Sequence, residues 1–395
     1  MKQYRTLYNL VGRDPNDPGS VRLSKALRIL TDSYREVLSP SGHPYVKDLL
    51  EVAIILAGRF SIGLSPIIAT LLQDTINDHK ITESELREAF GNQTTDIVLT
   101  LMQLKAPHQP HPVTDTLSFK PLLSNFSKIN LMVVLIKIAE YIHSMRILDA
   151  VPTSSQAKII DEIKHIYIPL VHRLGLNEVQ LELEDLQFKF QNKAIYDTIC
   201  HKIRTTKATE DGFLESFIAP IHAIMRKEFP QYTIKARTKT ISSIWHKIES
   251  RNIPFEEIHD LYAIRVVFDS EPSKEHSNCW LIYELLTTLY EPRLDRLRDW
   301  LTYPKDSGYE ALHIAVLSPQ QQWVEIQIRT TRMDAKAEHG HAAHWKYKDH
   351  TLSPELANIS SAWFDEAQDV LHQKWYKSKK MLDINIDPLY IQPNS

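Results

Sequence analysis

The stretch ALHIAVLSPQQQWVEIQIR, residues 311–329, decides the fold of the C-terminal half of the chain. Residues 311–317 and 323–329 are rich in β-branched and aromatic side chains, and the segment SPQQQ between them is typical of a turn. A third segment of the same kind, DLYAIRVVF, covers residues 260–268. The pattern predicts at least three strands in the second half of the chain.

Helical periodicity flanks these strands and fills the N-terminal half. The helix predicted at 82–90 opens with Thr82 and Glu85 in capping-box spacing and ends before Gly91. The other predicted helices cover 46–58, 131–149, 155–190 with a break around Arg173-Leu174-Gly175, 240–250 with Thr240 as a possible cap, 277–290, and the residues from 331 onward. We therefore expect an α+β multidomain protein whose first half is all-α.

Composition narrows the class of protein. The 395 residues suffice for two or three domains, and the formal net charge of −3 argues against broad nucleic-acid binding as the main role. The two cysteines, Cys200 and Cys279, have no CxxC context, which argues against a disulfide framework and fits a reducing cytosol. No apolar run reaches the length of about 18 residues that a membrane span needs, so we expect a cytoplasmic protein without a membrane partner.

The strand at 323–329 has two different faces. Val324, Ile326 and Ile328 share one face by the two-residue period, and Glu325, Gln327 and Arg329 share the other. An acid, an amide and a base in one row suit a polar cleft. A solvent-facing edge of a sheet would give the same pattern, so both interpretations stay open at this point.

Two further segments carry positive charge. Lys239, Ser243 and Lys247 recur every four residues, just after Arg237, and a basic stripe at a helix N-terminus suits a polyphosphate. A solvated basic face is the alternative. Residues 296–313 offer a ring, Tyr309, that could stack on a base or belong to the core, together with the expected positive charges of Arg296, Arg298, Lys305 and His313.

Taken together, these segments resemble the RelA/SpoT family of alarmone synthetases. The family pattern runs as RxKxxxSIxxK, a strand that opens with Asp, PKxxGYxxxH, EIQIRT and AExGxAAHWxYK. In the same order, this chain reads RTKTISSIWHK (237–247), DLYAIR (260–265), PKDSGYEALH (304–313), EIQIRT (325–330) and AEHGHAAHWKYK (337–348). Residues 166–190 also resemble the connecting helices of the family.

The resemblance implies a nucleotidyltransferase-like mixed sheet flanked by helices, in an enzyme that moves pyrophosphate from ATP to the 3′-hydroxyl of GTP or GDP. It implies that Asp260 and Glu325 hold Mg²⁺ across the ATP phosphates, that Glu325 orients or deprotonates the attacking hydroxyl, and that Gln327 lies near the acceptor ribose. Phosphoryl-type transfer needs such a site, because charge on the phosphate oxygens must be neutralised while an alcohol is held in line.

The other implied contacts divide between the two nucleotides. For ATP they are the adenine sandwich of Arg237 and Arg265 and the phosphate contacts of Lys239, Ser243 and Lys247. For the acceptor they are the guanine-stacking Tyr309 and the phosphate contacts of Arg298, Lys305 and His313. The stretch Arg296-x-Arg298-Asp299 resembles the RxKD form of bifunctional members, which implies use of GTP at least as well as GDP.

One point of geometry is open. Asp260 and Arg265 are five positions apart, so a straight strand would point them to opposite faces. Either Asp260 lies just before the regular strand, or the arginine reaches around an edge.

Long members of the family carry an N-terminal HD-type hydrolase that removes the 3′-pyrophosphate with a metal, usually Mn²⁺. Here both ligand imidazoles are replaced, one by Asp48 and the other by Gln73, and an amide is a poor ligand for a first-row metal. We expect a pseudo-hydrolase without Mn²⁺, and an all-oxygen site is the alternative. The other degenerate positions are Asp74, Asn77, Asp78, Glu140 and Ser144, and His43, His79 and His143 are interpreted as surface or scaffold histidines.

The resemblance also implies an organisation and a set of partners. We expect a pseudo-hydrolase domain at 1–150, connecting helices at 151–200, the synthetase domain at 201–350, and a helix around 355–378 with an irregular tail within 351–395. The expected ligands are ATP and GTP or GDP, with (p)ppGpp as a candidate regulator. Ribosome or tRNA contacts are expected only if further C-terminal domains exist. A hydrolase with a changed metal set and a non-catalytic nucleotide-binding regulator are the alternative functions; the intact Asp260/Glu325 pair argues against the second.

Overall fold

A computed structural model describes residues 2–11, 17–60, 62–104, 120–205, 212–258, 260–306, 308–344 and 359–379. These residues form two compact units. The helical unit contains the described residues up to Leu176 and the last described helix, and the sheet unit contains those from Asn177 to His344. Within these ranges, no helix has the length and apolar character needed to cross a membrane.

The helical unit confirms the predicted all-α character of the N-terminal half. A π-helical turn, Ile163–Tyr167, joins its ninth and tenth helices. Its α-helices are α1 Lys2–Val11, α2 Pro18–Tyr34, α3 Tyr45–Phe60, α4 Leu64–Leu72, α5 Glu83–Phe90, α6 Asn92–Leu104, α7 Lys120–Ser124, α8 Lys128–Arg146, α9 Thr153–Glu162, α10 Ile168–Arg173 and, near the end of the chain, α17 Ser361–Lys379.

Helix α8 forms the centre of the helical unit. Ser127 caps it by accepting a hydrogen bond from the amide of Asn130 at 3.0 Å. Every residue from Leu131 to His143 is buried, as expected of a helix that is surrounded by other helices. This helix therefore carries charged side chains, Lys137 and Glu140 among them, into the interior of the unit.

Local signals fix two other helices of this unit. The predicted capping box of α5 is confirmed, because Thr82 accepts from the Glu85 amide at 3.3 Å and the Glu85 carboxylate accepts from the Thr82 amide at 2.8 Å. Helix α17 packs through Trp363, whose indole N–H donates to the Leu122 carbonyl at 3.2 Å. The predicted helix around 355–378 is thus confirmed from Ser361, and the predicted tail lies outside the described residues.

In its described residues, the sheet unit contains six α-helices and one mixed sheet of five strands. The sheet order is β1-β2-β5-β4-β3, with β2 and β5 parallel and the other neighbours antiparallel. The elements are α11 Asn177–Gln191, α12 Lys193–Thr205, α13 Phe213–Glu228, β1 Tyr232–Thr238, α14 Ile241–Arg251, β2 Tyr262–Phe268, α15 Glu275–Leu289, β3 Glu291–Asp299, β4 Leu312–Leu317, β5 Trp323–Thr330 and α16 Thr331–His344.

One face of the sheet forms the core of this unit. Alternate residues of the three inner strands are buried, and Ile264, Ile314 and Ile326 are at most 1% exposed. They belong to one apolar cluster with Phe217 of α13 and Ile282 of α15. The alternation predicted for 323–329 is confirmed. It places Glu325 and Gln327 of β5 on the face of the sheet opposite the core.

Strands β1 and β3 are absent from the sequence prediction. Both lie at the edges of the sheet, and both are rich in charged residues, as in EPRLDRLRD of β3. Edge strands commonly carry charges that discourage pairing with other chains. In β3 these charges remove the apolar alternation by which the inner strands are recognised, whereas β1 keeps a short alternation of Tyr232, Ile234 and Ala236 that the prediction missed.

Candidate active site

A row of polar residues crosses the sheet on the face opposite the core. In the strand register Lys235 lies beside Arg265, Arg265 beside Gln327, Gln327 beside His313, and His313 beside Arg298. Residues directly opposite each other on paired strands share a face of the sheet. One surface therefore brings together residues predicted for both nucleotides and for catalysis.

The next row of the register contains the predicted catalytic acid. Glu325 pairs with Ala263 on one side and with Ala315 on the other, and Ala263 pairs with Arg237. Small neighbours on both sides leave space above the Glu325 carboxylate. Strand β5 is the middle strand of the five, so the alternative of a solvent-facing edge strand is wrong.

Asp260 lies two residues before β2, which begins at Tyr262. The first of the two alternatives for Asp260 is therefore the correct one, because the irregular backbone at Asp260 and Leu261 frees the carboxylate from the alternation of the strand. Two ammonium groups bond it: Nζ of Lys239 at 3.0 Å and Nζ of Lys247 at 2.6 Å. Burial raises the pKa of Asp260, but these two lysines outweigh it and hold the pKa below its usual value.

The basic stripe of α14 faces this carboxylate and not open solvent. The side chains of Lys239 and Lys247 are 24% and 17% exposed, so the interpretation as a solvated basic face is wrong. The two lysines are instead gathered around one acid, where an incoming polyphosphate would meet them together.

The backbone amides at the start of α14 already have partners. Thr240 caps the helix by accepting from the Ser243 amide at 3.4 Å, and its hydroxyl lies 2.7 Å from that of Ser243. A carboxylate from α11, Asp185, accepts from the Ser242 amide at 2.7 Å, and burial raises the pKa of Asp185. The amides of Ser242 and Ser243 are therefore occupied, and the ammonium groups of Lys239 and Lys247, which bond Asp260, are the charged donors near this helix end.

Strand β5 orders its own polar side chains. The Gln327 side-chain amide donates to Oε1 of Glu325 at 2.7 Å, and its carbonyl accepts from Arg329 at 2.9 Å. Arg329 is only 3% exposed. The carboxylate of Glu325 is 28% exposed, so it is held by a neighbour yet open to a ligand.

Tyr309 and His313 continue this chain of hydrogen bonds. Arg329 only donates, so the Tyr309 oxygen accepts from it and the Tyr309 hydroxyl donates to Nε2 of His313 at 2.7 Å. This assignment places the proton of His313 on Nδ1, which lies 3.6 Å from Oε1 of Glu325. Burial, together with the nearby Arg329, lowers the pKa of His313 to about 3. The expectation that His313 supplies positive charge is wrong: it is neutral near pH 7.

The loop before β4 carries Tyr309 and places the ammonium group of Lys305 close to its ring. The Lys305 ammonium lies 4.8 Å from the Trp300 ring centroid and 5.0 Å from that of Tyr309. Gly308 adopts φ +73°, and a Cβ there would lie 3.0 Å from Cε of Lys336. The positive φ favours a glycine between Lys305 and Tyr309, and a Cβ there would also have to displace the end of the Lys336 side chain.

Arg298 is exposed, and its guanidinium donates to the backbone carbonyls of Asp295 at 3.0 Å and Leu297 at 2.9 Å. It lies at the acceptor end of the polar row, on the edge strand β3.

Polar side chains of helix α16 bond the loop before β4 and the strands β2 and β5. The sequence prediction missed these side chains. Lys336 and Arg332 bond the carboxylate of Glu310, the residue after Tyr309, at 2.7 Å and 2.5 Å. Asp334 receives Arg265 at 3.0 Å and Arg329 at 3.4 Å. No sequence pattern marks the partners of Glu310 and Arg265, because these pairs join residues that are 22 to 69 positions apart.

The carboxylates of this face fit one kind of metal site. Within the described ranges, no group of three or more His, Cys, Asp or Glu side chains could enclose an ion. Magnesium is commonly held by one or two carboxylates together with substrate phosphates, and not by an all-protein cage. Asp260 and Glu325 supply the hard oxygen donors that such a site requires.

The degenerate hydrolase positions form a second polar cluster, in the helical unit. Asp48 Oδ1 lies 3.2 Å from Nε2 of His143 and 3.8 Å from Nδ1 of His43. The remaining carboxylates have donors of their own: Tyr45 donates to Asp74, Tyr34 to Asp78 at 2.8 Å, and Lys137 to Glu140 at 2.8 Å. Gln73 is buried, Ser144 is partly buried, and Asn77 and His79 are exposed.

Comparison with known proteins gives the following similarities. Residues 236–351 match the family described as a region found in RelA / SpoT proteins, and residues 26–177 match the HD domain. The chain is 30% identical to a GTP pyrophosphokinase of Myxococcus xanthus, over 95% of this chain and 50% of that protein. It is 29% identical to the bifunctional (p)ppGpp synthase/hydrolase SpoT of Escherichia coli (strain K12), over 86% of this chain and 47% of that protein.

The chain spans about half the length of the curated relatives it matches. Among solved structures it is similar to the small alarmone synthetase 1 from Bacillus subtilis bound to its product pppGpp. That similarity has 19% sequence identity and a TM-score of 0.28, and covers 48% of this chain and 93% of the other.

Proposed function

This chain is a homologue of the RelA/SpoT proteins, and on that premise we propose that it transfers pyrophosphate from ATP to the 3′-hydroxyl of GTP or GDP. The observation that carries the proposal is the polar row across the sheet. Residues predicted for ATP lie on β1, β2 and α14, the predicted catalytic pair lies on β5 and just before β2, and residues predicted for the acceptor lie on β4, β3 and their loop. Donor and acceptor would therefore meet above Glu325.

Lys239 and Lys247 would bind the phosphates of ATP. They are already held beside Asp260, so their charges are gathered before the triphosphate arrives. Asp260 and Glu325 would hold Mg²⁺, which when bound would neutralise negative charge on the phosphate oxygens. Arg265, and Arg237 by its place in the register, are proposed for adenine.

Glu325 would act as the general base. As the 3′-oxygen forms its bond to the β-phosphorus, the hydroxyl proton passes to the Glu325 carboxylate, the bond between the α–β bridging oxygen and the β-phosphorus breaks, and AMP leaves. Gln327 fixes the orientation of that carboxylate by donating to Oε1. The neutral His313 lies on the other side with its Nδ1 toward Glu325 and would not compete for the proton, because its pKa is lowered to about 3.

The direct test is an incubation of the full chain with ATP, GTP and Mg²⁺, followed by chromatography of the nucleotides. We expect AMP and pppGpp in equal amounts. Absence of both, with and without added alarmone, would overturn the proposal.

A substitution assigns the role of the base. Glu325→Gln keeps the shape of the side chain and removes the proton acceptor, so we expect turnover to fall by about 10²–10⁴-fold while binding of ATP persists. Glu291→Gln, at an exposed glutamate that begins β3, is the matched control and should retain the wild-type rate. Equal rates for Glu325→Gln and wild type would contradict a base at this position.

We infer that the helical unit does not hydrolyse alarmone. The inference rests on the donor set: Asp48 and the buried amide Gln73 stand at the two positions where the resemblance implies imidazole ligands. Carboxylates suit Mn²⁺, so the donors that are missing are the two imidazoles, and the Gln73 amide is a poor replacement for one of them. Incubation of the chain with ppGpp and Mn²⁺ should release no pyrophosphate, and release above the blank would favour a bifunctional enzyme instead.

A further inference from the structure

One carboxylate oxygen connects the two predicted nucleotide sites. Oδ1 of Asp334, on α16, lies 3.0 Å from a guanidinium nitrogen of Arg265 on β2 and 3.4 Å from one of Arg329 on β5. Asp334 and Arg329 are 8% and 3% exposed. A buried carboxylate between two arginines depends on both of them, because a buried charge without a partner is strongly unfavourable.

Arg329 reaches the predicted acceptor site at its other end. Its guanidinium carbon lies 4.7 Å from the centroid of the Tyr309 ring, and its NH2 group donates to the Tyr309 hydroxyl. Tyr309 is the residue predicted to stack on guanine. Arg265 is one of the residues predicted to pack on adenine. The path from one base to the other is therefore Arg265, Asp334, Arg329 and Tyr309.

We propose, on the basis of the function proposed above, that Asp334 is a positioning residue that couples binding of the acceptor to binding of ATP. To pack on adenine, Arg265 gives up its contact with Asp334. Asp334 then draws Arg329 closer, since both are buried and each needs the other's charge. Arg329 moves off the Tyr309 ring, and the ring becomes available to guanine.

Coupling of this kind is reciprocal. If ATP tightens binding of the acceptor by some factor, the acceptor tightens binding of ATP by the same factor. We expect a factor of at least about 5 in the wild type, at the lower end of the usual range. Loss of the Asp334 charge should bring the factor close to 1, whatever it does to the separate affinities.

The test measures binding without turnover. Titration calorimetry on the full chain gives the Kd of GDP with and without a saturating, non-hydrolysable α,β-methylene analogue of ATP, and the Kd of the analogue with and without GDP. Asp334→Asn should remove the coupling, and Asp334→Glu should keep part of it. The matched control is Asp197→Asn, an exposed aspartate of α12 paired with Lys193, which should keep the wild-type factor.

The outcomes separate the two proposals. Wild-type coupling retained in Asp334→Asn, or no coupling in the wild type, would overturn the role of Asp334 and leave the transferase proposal standing. Coupled binding without pppGpp formation would overturn the transferase proposal alone. If Asp334→Asn does not fold, Arg329→Lys replaces it: the shorter reach of the ammonium should lower the factor below about 2, and an unchanged factor would contradict the path.

Discussion

The two units each hold a lysine close to a carboxylate, in different surroundings. In the helical unit Lys137 bonds Glu140 at 2.8 Å, and the two side chains are 0% and 8% exposed. In the sheet unit Lys247 bonds Asp260 at 2.6 Å, and the two side chains are 17% and 23% exposed. The first pair is closed to solvent, whereas the second is open to a ligand.

The surroundings differ in charge balance as well. Around the degenerate hydrolase positions each carboxylate has a donor from its own neighbourhood, such as Tyr45 for Asp74. On the sheet face a second lysine, Lys239, joins Lys247 at Asp260, so cations outnumber acids there. It follows that the carboxylates of the helical unit need no bound metal for their charge balance, because their partners lie within the unit. At Asp260, by contrast, two ammonium groups share one carboxylate, so positive charge remains for a polyanion.

The largest expected effect tests the closed pair. Lys137→Met leaves the Glu140 carboxylate buried without its cation, so we expect the helical unit to lose about 3–5 kcal/mol of stability. Hydrogen exchange of α8 in the full chain measures this loss unit by unit. Synthesis of pppGpp by the folded fraction should be little changed.

Two variants control this comparison. Lys193→Met breaks an exposed helical pair with Asp197, in which the lysine is 73% exposed, and should cost less than about 1 kcal/mol. Lys137→Met combined with Glu140→Gln should regain much of the loss, because the uncompensated charge is gone. A loss below about 1 kcal/mol for Lys137→Met alone would show that the two pairs do not differ as argued.

The second prediction concerns the open pair of Lys247 and Asp260, whose loss should lower activity and leave stability unchanged. Asp260→Asn removes a proposed metal ligand and the acid that gathers Lys239 and Lys247, and we expect pppGpp synthesis to fall by about 10²–10³-fold. The exchange protection of α8 should be unchanged. Glu256→Gln, at a 66% exposed partner of Lys202, is the control. Near-normal synthesis by Asp260→Asn would show that the open pair of the sheet unit does not serve the reaction.

Local patterns predicted the parts of the fold that local physics determines. The alternation in WVEIQIR gave the two faces of β5, and Thr82 with Glu85 gave the start of α5. The four-residue spacing predicted that Lys239 and Lys247 lie together, and both bond Asp260, although Lys239 precedes the N-cap and is not part of α14. In these cases the deciding contacts lie within a few residues of each other.

Contacts between distant residues were not predictable in the same way. Asp185 caps α14 across 57 positions, and Asp334 meets Arg265 across 69 positions. The neutral state of His313 also depends on distant groups, because its burial and the nearby Arg329 arise only when the strands pair. The edge strand β3 was missed because its charges mask the alternation, whereas the alternation of Tyr232, Ile234 and Ala236 in β1 was visible in the sequence and overlooked.

The smallest expected effect compares the histidines of the two units. His143 of the helical unit lies 3.2 Å from the carboxylate of Asp48, whereas His313 of the sheet unit lies among cations. Burial and Arg329 lower the pKa of His313 from 6.5 to about 3, so between these pH values the unfolded chain binds a proton that the folded chain does not. Stability contributed by neutral His313 is therefore lost as the pH falls below 6.5, by up to about 1.4 kcal/mol per pH unit.

His313→Gln removes this titration and should flatten the dependence of unfolding free energy on pH by about that slope. Urea unfolding of the full chain between about pH 5 and 7, followed by tryptophan fluorescence, measures the slope. His201→Gln, at an exposed histidine of α12, should leave it unchanged. Identical slopes in the wild type and His313→Gln would mean that His313 takes up its proton equally in the folded and the unfolded chain. A protonated imidazole would then lie beside Glu325 below about pH 6.5 and would contradict the neutral ring assigned to His313.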